Sequence, residues 1–172
     1  MEKLLWTKGI FKKRLVITRG GEQIGLISWN SFFGSNAIAT LNGRGFILKR
    51  DFFLSRLEIQ DANNQDVLGA IMINMLNPRS DLVINRKRFE LEIKNFWQSR
   101  WCWKFNGQEI IFFQSNEMLS KDSGSIEVYA ADCEETEILI LLGLFVRSQL
   151  VLFMLLILMV LILVALSWNA GP

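Results

Sequence analysis

Two basic clusters, Lys12-Lys13-Arg14 and Arg86-Lys87-Arg88, and one acidic run, Asp132, Glu134, Glu135 and Glu137, are the groups here whose types and spacing could do chemistry. The basic clusters could meet anionic lipid headgroups, where each Lys or Arg close to the surface contributes about 1 kcal/mol. As hairpin ends they are also ordinary solvated charges. The acidic run could ligate calcium, but calcium asks for about six to eight oxygens on a loop with a tight glycine turn. This run lacks that glycine and leads into a helix, whose positive dipole end carboxylates cap. Capping is therefore the expectation, and no metal is assigned. Trp97, Trp101 and Trp103 could form a stacking platform for bases or sugars. The equivalent positions one repeat earlier are Phe53, Leu57 and Ile59, ordinary core residues, so packing is expected instead.

Enzyme signatures are missing. The chain has no histidine, and it lacks a Gly-rich phosphate loop, a cysteine pair at metal spacing and a serine nucleophile elbow. The expectation is a protein that is not an enzyme and carries no cofactor. A formal charge of +2, with basic residues interspersed among carboxylates, gives no case for nucleic acid. Cys102 and Cys133 make neither a disulfide framework nor a zinc set and suit a reducing compartment. Met1-Glu2-Lys3-Leu4-Leu5-Trp6 has no long apolar run, so no cleaved signal peptide is expected.

The elements that must position these groups come from internal periodicity, which has to be sought first because missing it mis-assigns a whole fold. A block of about 43 residues recurs three times. Its landmark reads Phe11-x-x-Arg14-Leu15-x-Ile17, Phe53-x-x-Arg56-Leu57-x-Ile59 and Trp97-x-x-Arg100-Trp101-x-Trp103. A second landmark occurs twice, as Leu41-Asn42-x-Arg44-x-Phe46-x-Leu48 and Ile84-Asn85-x-Lys87-x-Phe89-x-Leu91. Within the blocks the apolar period is two. Phe89-Glu90-Leu91-Glu92-Ile93-Lys94 alternates without a fault, as a half-buried strand does. Gly20-Gly21, Asn42-Gly43, Ala62-Asn63-Asn64, Asn85-Arg86 and Asn106-Gly107 read as turns, because Asn and Gly tolerate positive φ.

The spacing predicts strands near 4–8, 14–19, 23–29, 37–41, 45–50, 55–60, 66–72, 81–85, 88–94, 100–105, 108–114 and 124–130. Short connections make sequence neighbours pair antiparallel. Pro78 falls between strands, as a sheet requires. From Thr136 to Trp168 nothing breaks a helix, and a helix apolar all round lies in protein or in lipid. Twelve strands hide their edges by closing into a barrel, and a barrel that wide has room for such a helix.

The repeated Phe/Trp-x-x-Arg hairpins, the strand openings Ser31-Phe32-Phe33 and Asn95-Phe96-Trp97, and the run from Glu135 to Arg147 carry a resemblance. Over residues 3–147 the chain resembles the tubby C-terminal-like barrels of tubby proteins, phospholipid scramblases and LURP-one-related proteins. That resemblance implies a mainly β, twelve-stranded antiparallel barrel closed around a C-terminal hydrophobic helix. No tubby lipid-binding residue carries over, because the motif is not matched here. The second apolar stretch is a departure from the family. A helix over 136–168 would be about 50 Å long, so the plug is expected over about 136–147, ending at Arg147-Ser148-Gln149. The barrel domain is then 1–149, residues 150–168 form a membrane tail anchor, and 169–172 are a short tail. Residues 150–166 span about 26 Å, near the lower limit for a bilayer core of about 30 Å. Arg147 would lie at the lipid interface, and Trp168 at the other.

These readings make the chain a membrane-associated barrel on the cytoplasmic side, binding lipid headgroups or a protein partner. Scramblase-like lipid translocation is the rival, and a structural subunit whose tail packs on partner helices is another. Leu150–Leu166 lacks the polar stripe the first would need, and Ala165 is its only small residue for the second.

Overall fold

The computed structural model describes residues 1–9, 12–31, 34–51, 56–73, 79–95, 99–118, 121–130 and 133–169. Among them the strands are β1 (Glu2–Gly9), β2 (Arg14–Arg19), β3 (Glu22–Trp29), β4 (Asn36–Leu41), β5 (Arg44–Arg50) and β6 (Arg56–Asp61). They continue as β7 (Val67–Met72), β8 (Arg79–Ile84), β9 (Lys87–Ile93), β10 (Arg100–Phe105), β11 (Gln108–Met118) and β12 (Lys121–Val128), followed by α1 (Thr136–Asn169). Each strand pairs antiparallel with its chain neighbours, and β1 closes the ring on β12, from Glu2↔Val128 to Gly9↔Lys121. The result is a closed twelve-stranded barrel without edges. Phe11, Phe32, Phe33, Phe53, Pro78, Phe96, Trp97 and Asp132 lie outside the described residues.

Period-two alternation puts one side chain in two inside. Leu4 and Trp6, Leu15 and Ile17, Phe46 and Leu48, Phe89 and Leu91, Trp101 and Trp103 all face the interior and are buried. The two-residue turns rest on the residues expected, with Asn42, Asn85 and Asn106 at φ of 47°, 50° and 50°, whereas after Ala62-Asn63-Asn64 the positive φ, 62°, falls on Gln65. The ladder shifts register between Ile17/Thr18, Ile59/Gln60 and Trp103/Lys104, always in the second strand of a set of four. Such bulges sharpen local twist, which helps a sheet curl into a ring. Strand β11 runs past its expected end and β12 begins before its expected start, though it stops at Val128, because polar residues continue the ladder there, with Ser115↔Gly124 and Asn116↔Ser123. The β7–β8 ladder is the thinnest among the described residues, with one bridge, Ile71↔Leu82.

Helix α1 fills the interior. Leu139, Leu141, Leu142, Leu144 and Phe145 are at most 1% exposed although they point in every direction around the axis. Trp103 Nε1 donates to the Leu139 carbonyl at 2.7 Å, and Phe145 stacks on Trp29 with ring centroids 6.5 Å apart. A Cβ on Gly143 would sit 2.8 Å from the Phe113 ring and 3.0 Å from Trp103 Nε1, so this glycine lets helix and wall approach. The helix does not break at Arg147-Ser148-Gln149. It stays buried through Leu150, is half-buried over 151–154, and is exposed over 155–168. The buried part therefore ends about one turn later than the polar step predicts. At 1.5 Å per residue the helix is about 51 Å long, and its far part projects beyond the barrel.

Candidate functional site

Strand parity defines two ends. β12 finishes at Val128 opposite Glu2 and leads to the start of α1, so the turns β2–β3, β4–β5, β6–β7, β8–β9 and β10–β11 surround the helix start. This is the capped end. The connections β1–β2, β3–β4, β5–β6, β7–β8, β9–β10 and β11–β12 surround the place where α1 leaves, the exit rim.

At the capped end the landmark that occurs twice in the sequence holds the helix twice. Asn42 Nδ2 donates to Glu137 Oε1 at 2.8 Å, and Arg44 donates to Glu137 Oε2 at 3.3 Å. Asn85 Nδ2 donates to Glu135 Oε1 at 3.2 Å, and Lys87 Nζ to Glu135 Oε2 at 3.0 Å. The apolar residues of each landmark, Leu41 with Phe46 and Ile84 with Phe89, are buried in the wall. Each hairpin thus packs inward and turns its amide and cation onto one carboxylate. Glu135 is 1% exposed. Burial pushes its carboxyl upward, but hydrogen bonds from the Cys133 thiol, Lys87 and Asn85 outweigh that and hold it below the usual carboxylate value. Both carboxylates are committed to side-chain donors, and among the described residues no group of three His, Cys, Asp or Glu converges as a metal site.

The two basic clusters fall at opposite ends. In Arg86-Lys87-Arg88, Lys87 is bound to Glu135, and Arg88 grips Asp81 through Nε at 3.1 Å and a second nitrogen at 2.6 Å. Arg86 is exposed in the turn. Lys12, Lys13 and Arg14 lie at the exit rim, all exposed, with Lys13 Nζ donating to the Asn30 carbonyl at 3.2 Å. The rim connections and the strand residues flanking them also contain Arg50, Arg56, Arg79, Lys94, Arg100 and Lys121, against a single carboxylate, Asp51. Arg56 pairs with Glu58 at 2.6 Å, Arg79 with Glu92 at 3.3 Å, and Lys94 with Glu109.

The sequence puts Arg147 at the lipid interface, at the end of the plug. Its guanidinium instead turns into the barrel mouth, 5% exposed. It binds Asp122 Oδ2 at 2.5 Å and Ser115 Oγ at 2.9 Å, and lies 5.1 Å and 5.3 Å from the ring centroids of Trp6 and Trp101. Two indole faces and a carboxylate provide what a desolvated cation needs. Lys8 shares this mouth, 4.2 Å above the Trp29 ring. Burial holds its ammonium below the usual lysine value, against the raising field of Asp122, and Arg147 adds to the lowering. Sequence reasoning missed Ser115, Asp122 and Lys8. Their signal was present: Ile111, Phe113, Ser115 and Asp122, Gly124, Ile126 continue the inward alternation in polar residues.

Among the described residues α1 is the one helix long and apolar enough to cross a membrane. No protein-family model matches the sequence, and no curated protein matches it. A crystal structure of a protein from Arabidopsis thaliana is similar in fold, with a TM-score of 0.57 and 13% sequence identity over 83% of this chain and 89% of that one. At that identity the likeness is one of fold.

Proposed function

We propose that this chain is a non-enzymatic, membrane-tethered barrel of the kind found in tubby proteins, scramblases and LURP-one-related proteins, and that it binds lipid headgroups at the membrane face. The observation that carries the reading is one unbroken helix whose first half is the barrel's core and whose second half is bare apolar surface. Residues 155–168 expose Leu, Ile, Val, Met and Trp on every side, which water does not tolerate and lipid does. Residues 151–169 measure about 28 Å, close to the bilayer's hydrocarbon thickness of about 30 Å. The basic exit rim beside the span supports a cytoplasmic barrel under the positive-inside rule. The likeness to the Arabidopsis structure supports the fold and names no ligand.

Extraction of membranes with alkaline carbonate tests the tether. Full-length protein is expected to stay in the pellet, and a chain truncated after Met154 to be soluble, β-rich and cooperatively folded. Full-length protein that remains soluble without detergent would sink the reading.

A further inference from the structure

We propose that the exit rim is a docking surface for an anionic lipid leaflet, led by Lys12-Lys13-Arg14, and that Arg86-Lys87-Arg88 takes no part in it. The inference rests on the tether reading, because a span beginning near residue 151 forces the rim to headgroup level. Net charge then separates the two clusters. Lys13 meets a neutral carbonyl, so the first cluster keeps three exposed positive charges. In the second cluster Glu135 neutralises Lys87 and Asp81 neutralises Arg88, leaving Arg86. Elsewhere on the rim Glu58, Glu92 and Glu109 pair with Arg56, Arg79 and Lys94, while Arg50, Arg100 and Lys121 lie on three separate connections, so the β1–β2 connection carries the densest run of positive charge. Distance adds to the difference. A strand of the length of β9 puts the capped end roughly 15–20 Å from the rim, while surface charge is screened over about 8 Å at physiological salt. The far cluster lies outside the leaflet's field.

The test is co-flotation of full-length protein, synthesised in a cell-free system without detergent, with vesicles of phosphatidylcholine alone or of phosphatidylcholine with phosphatidylserine. Wild type is expected to float with both and to bind the anionic vesicles more strongly, with a preference that fades as salt is raised. The triple variant Lys12→Glu, Lys13→Glu, Arg14→Glu is expected to lose about tenfold or more in binding to anionic vesicles while still floating with neutral ones. The corresponding Gln variant, which keeps the side-chain size, is expected to fall between. Arg86→Glu is expected to match wild type. Wild type that floats with neither vesicle breaks the tether reading itself. Equal binding to both vesicles, a preference that survives the triple reversal, or one lost in Arg86→Glu overturns the docking inference and leaves the tether standing. The vesicles contain only lipid, so an anionic preference cannot come from an acidic protein.

Discussion

The two ends of the barrel are built from different residues for the same topological task of reversing a strand. At the capped end most reversals take two residues, drawn from Asn, Gly and Arg, and two of them reach inward to hold Glu135 and Glu137. At the exit rim most connections are longer, and in sequence they contain Phe32-Phe33, Phe52-Phe53-Leu54, Met75-Leu76 and Phe96-Trp97, the second set between Arg50 and Arg56 and the last between Lys94 and Arg100. Tight polar turns suit water on all sides, whereas aromatics flanked by Lys and Arg suit a lipid–water boundary. The carboxylates that hold the helix belong to the helix at the capped end and to the wall at the exit, where Asp122 holds Arg147. The helix is thus held where it enters the barrel and again where it leaves, with opposite charge sense, and only the carboxylates at its start also oppose the helix dipole.

Removing what both ends grip should have the largest effect. A chain ending at Ala130 lacks Leu139, Leu142, Leu144 and Phe145, and we expect it to aggregate without a cooperative thermal transition. A soluble, sharply melting fragment would mean that the helix is not the core. Next come point changes at the exit mouth, read as shifts in urea-unfolding midpoint. Trp101→Ala should cost about 3–5 kcal/mol as a buried aromatic, and Arg147→Ala a similar amount of about 3–5 kcal/mol, because Asp122 loses its partner. The two should not add, since the indole and guanidinium are in contact.

Gly143→Ala should cost about 1–3 kcal/mol by overpacking against Phe113 and Trp103. At the capped end Glu135→Ala should cost less, about 1 kcal/mol, because the exposed Asn85 and the half-exposed Lys87 turn to water once the carboxylate is gone. The pH dependence follows from the depressed carboxyl. Its stabilisation is fully present above the usual value of 4.5 and is lost as pH falls through the lower folded value. Glu135→Gln should flatten that acid limb, and an unchanged limb would exclude Glu135 as its source. The smallest effect is chemical. Burial pushes the Cys102 thiol up to about 11, so at neutral pH it should resist alkylation until the barrel unfolds.

Much of this contrast was legible in the residues. Unbroken alternation such as Phe89 to Lys94 locates strands because only a period of two puts three apolar side chains on one face. The Asn-x-Arg/Lys landmark was visible, but not its task, since its partners Glu137 and Glu135 follow at separations of 95 and 50 residues from Asn42 and Asn85. The opposite placement of the two basic clusters follows from strand parity, yet composition alone made them look equivalent. Cys102 shows a different limit. It faces away from Trp101 and Trp103 as alternation requires, but it is wholly buried among Lys94, Glu92, Lys104, Glu109 and Phe112. Periodicity separates the two faces of a sheet and does not say what long charged side chains cover on the outer one.

A core helix that follows every strand in the chain sets an order of events during synthesis. Twelve strands emerge from the ribosome with apolar inner faces and nothing to wrap, and the residues that complete them appear last. The same segment then continues into the exposed apolar residues 155–168. On the proposed tether reading, a factor that gripped residues 151–169 early would also withhold residues 138–150 from the barrel, and maturation and targeting would compete for one stretch of polypeptide. Ribosome-bound chains carrying all twelve strands but with α1 still in the tunnel are expected to be protease-sensitive, and to become resistant only when α1 is released. Resistance before that release would show that the strands close without their helix.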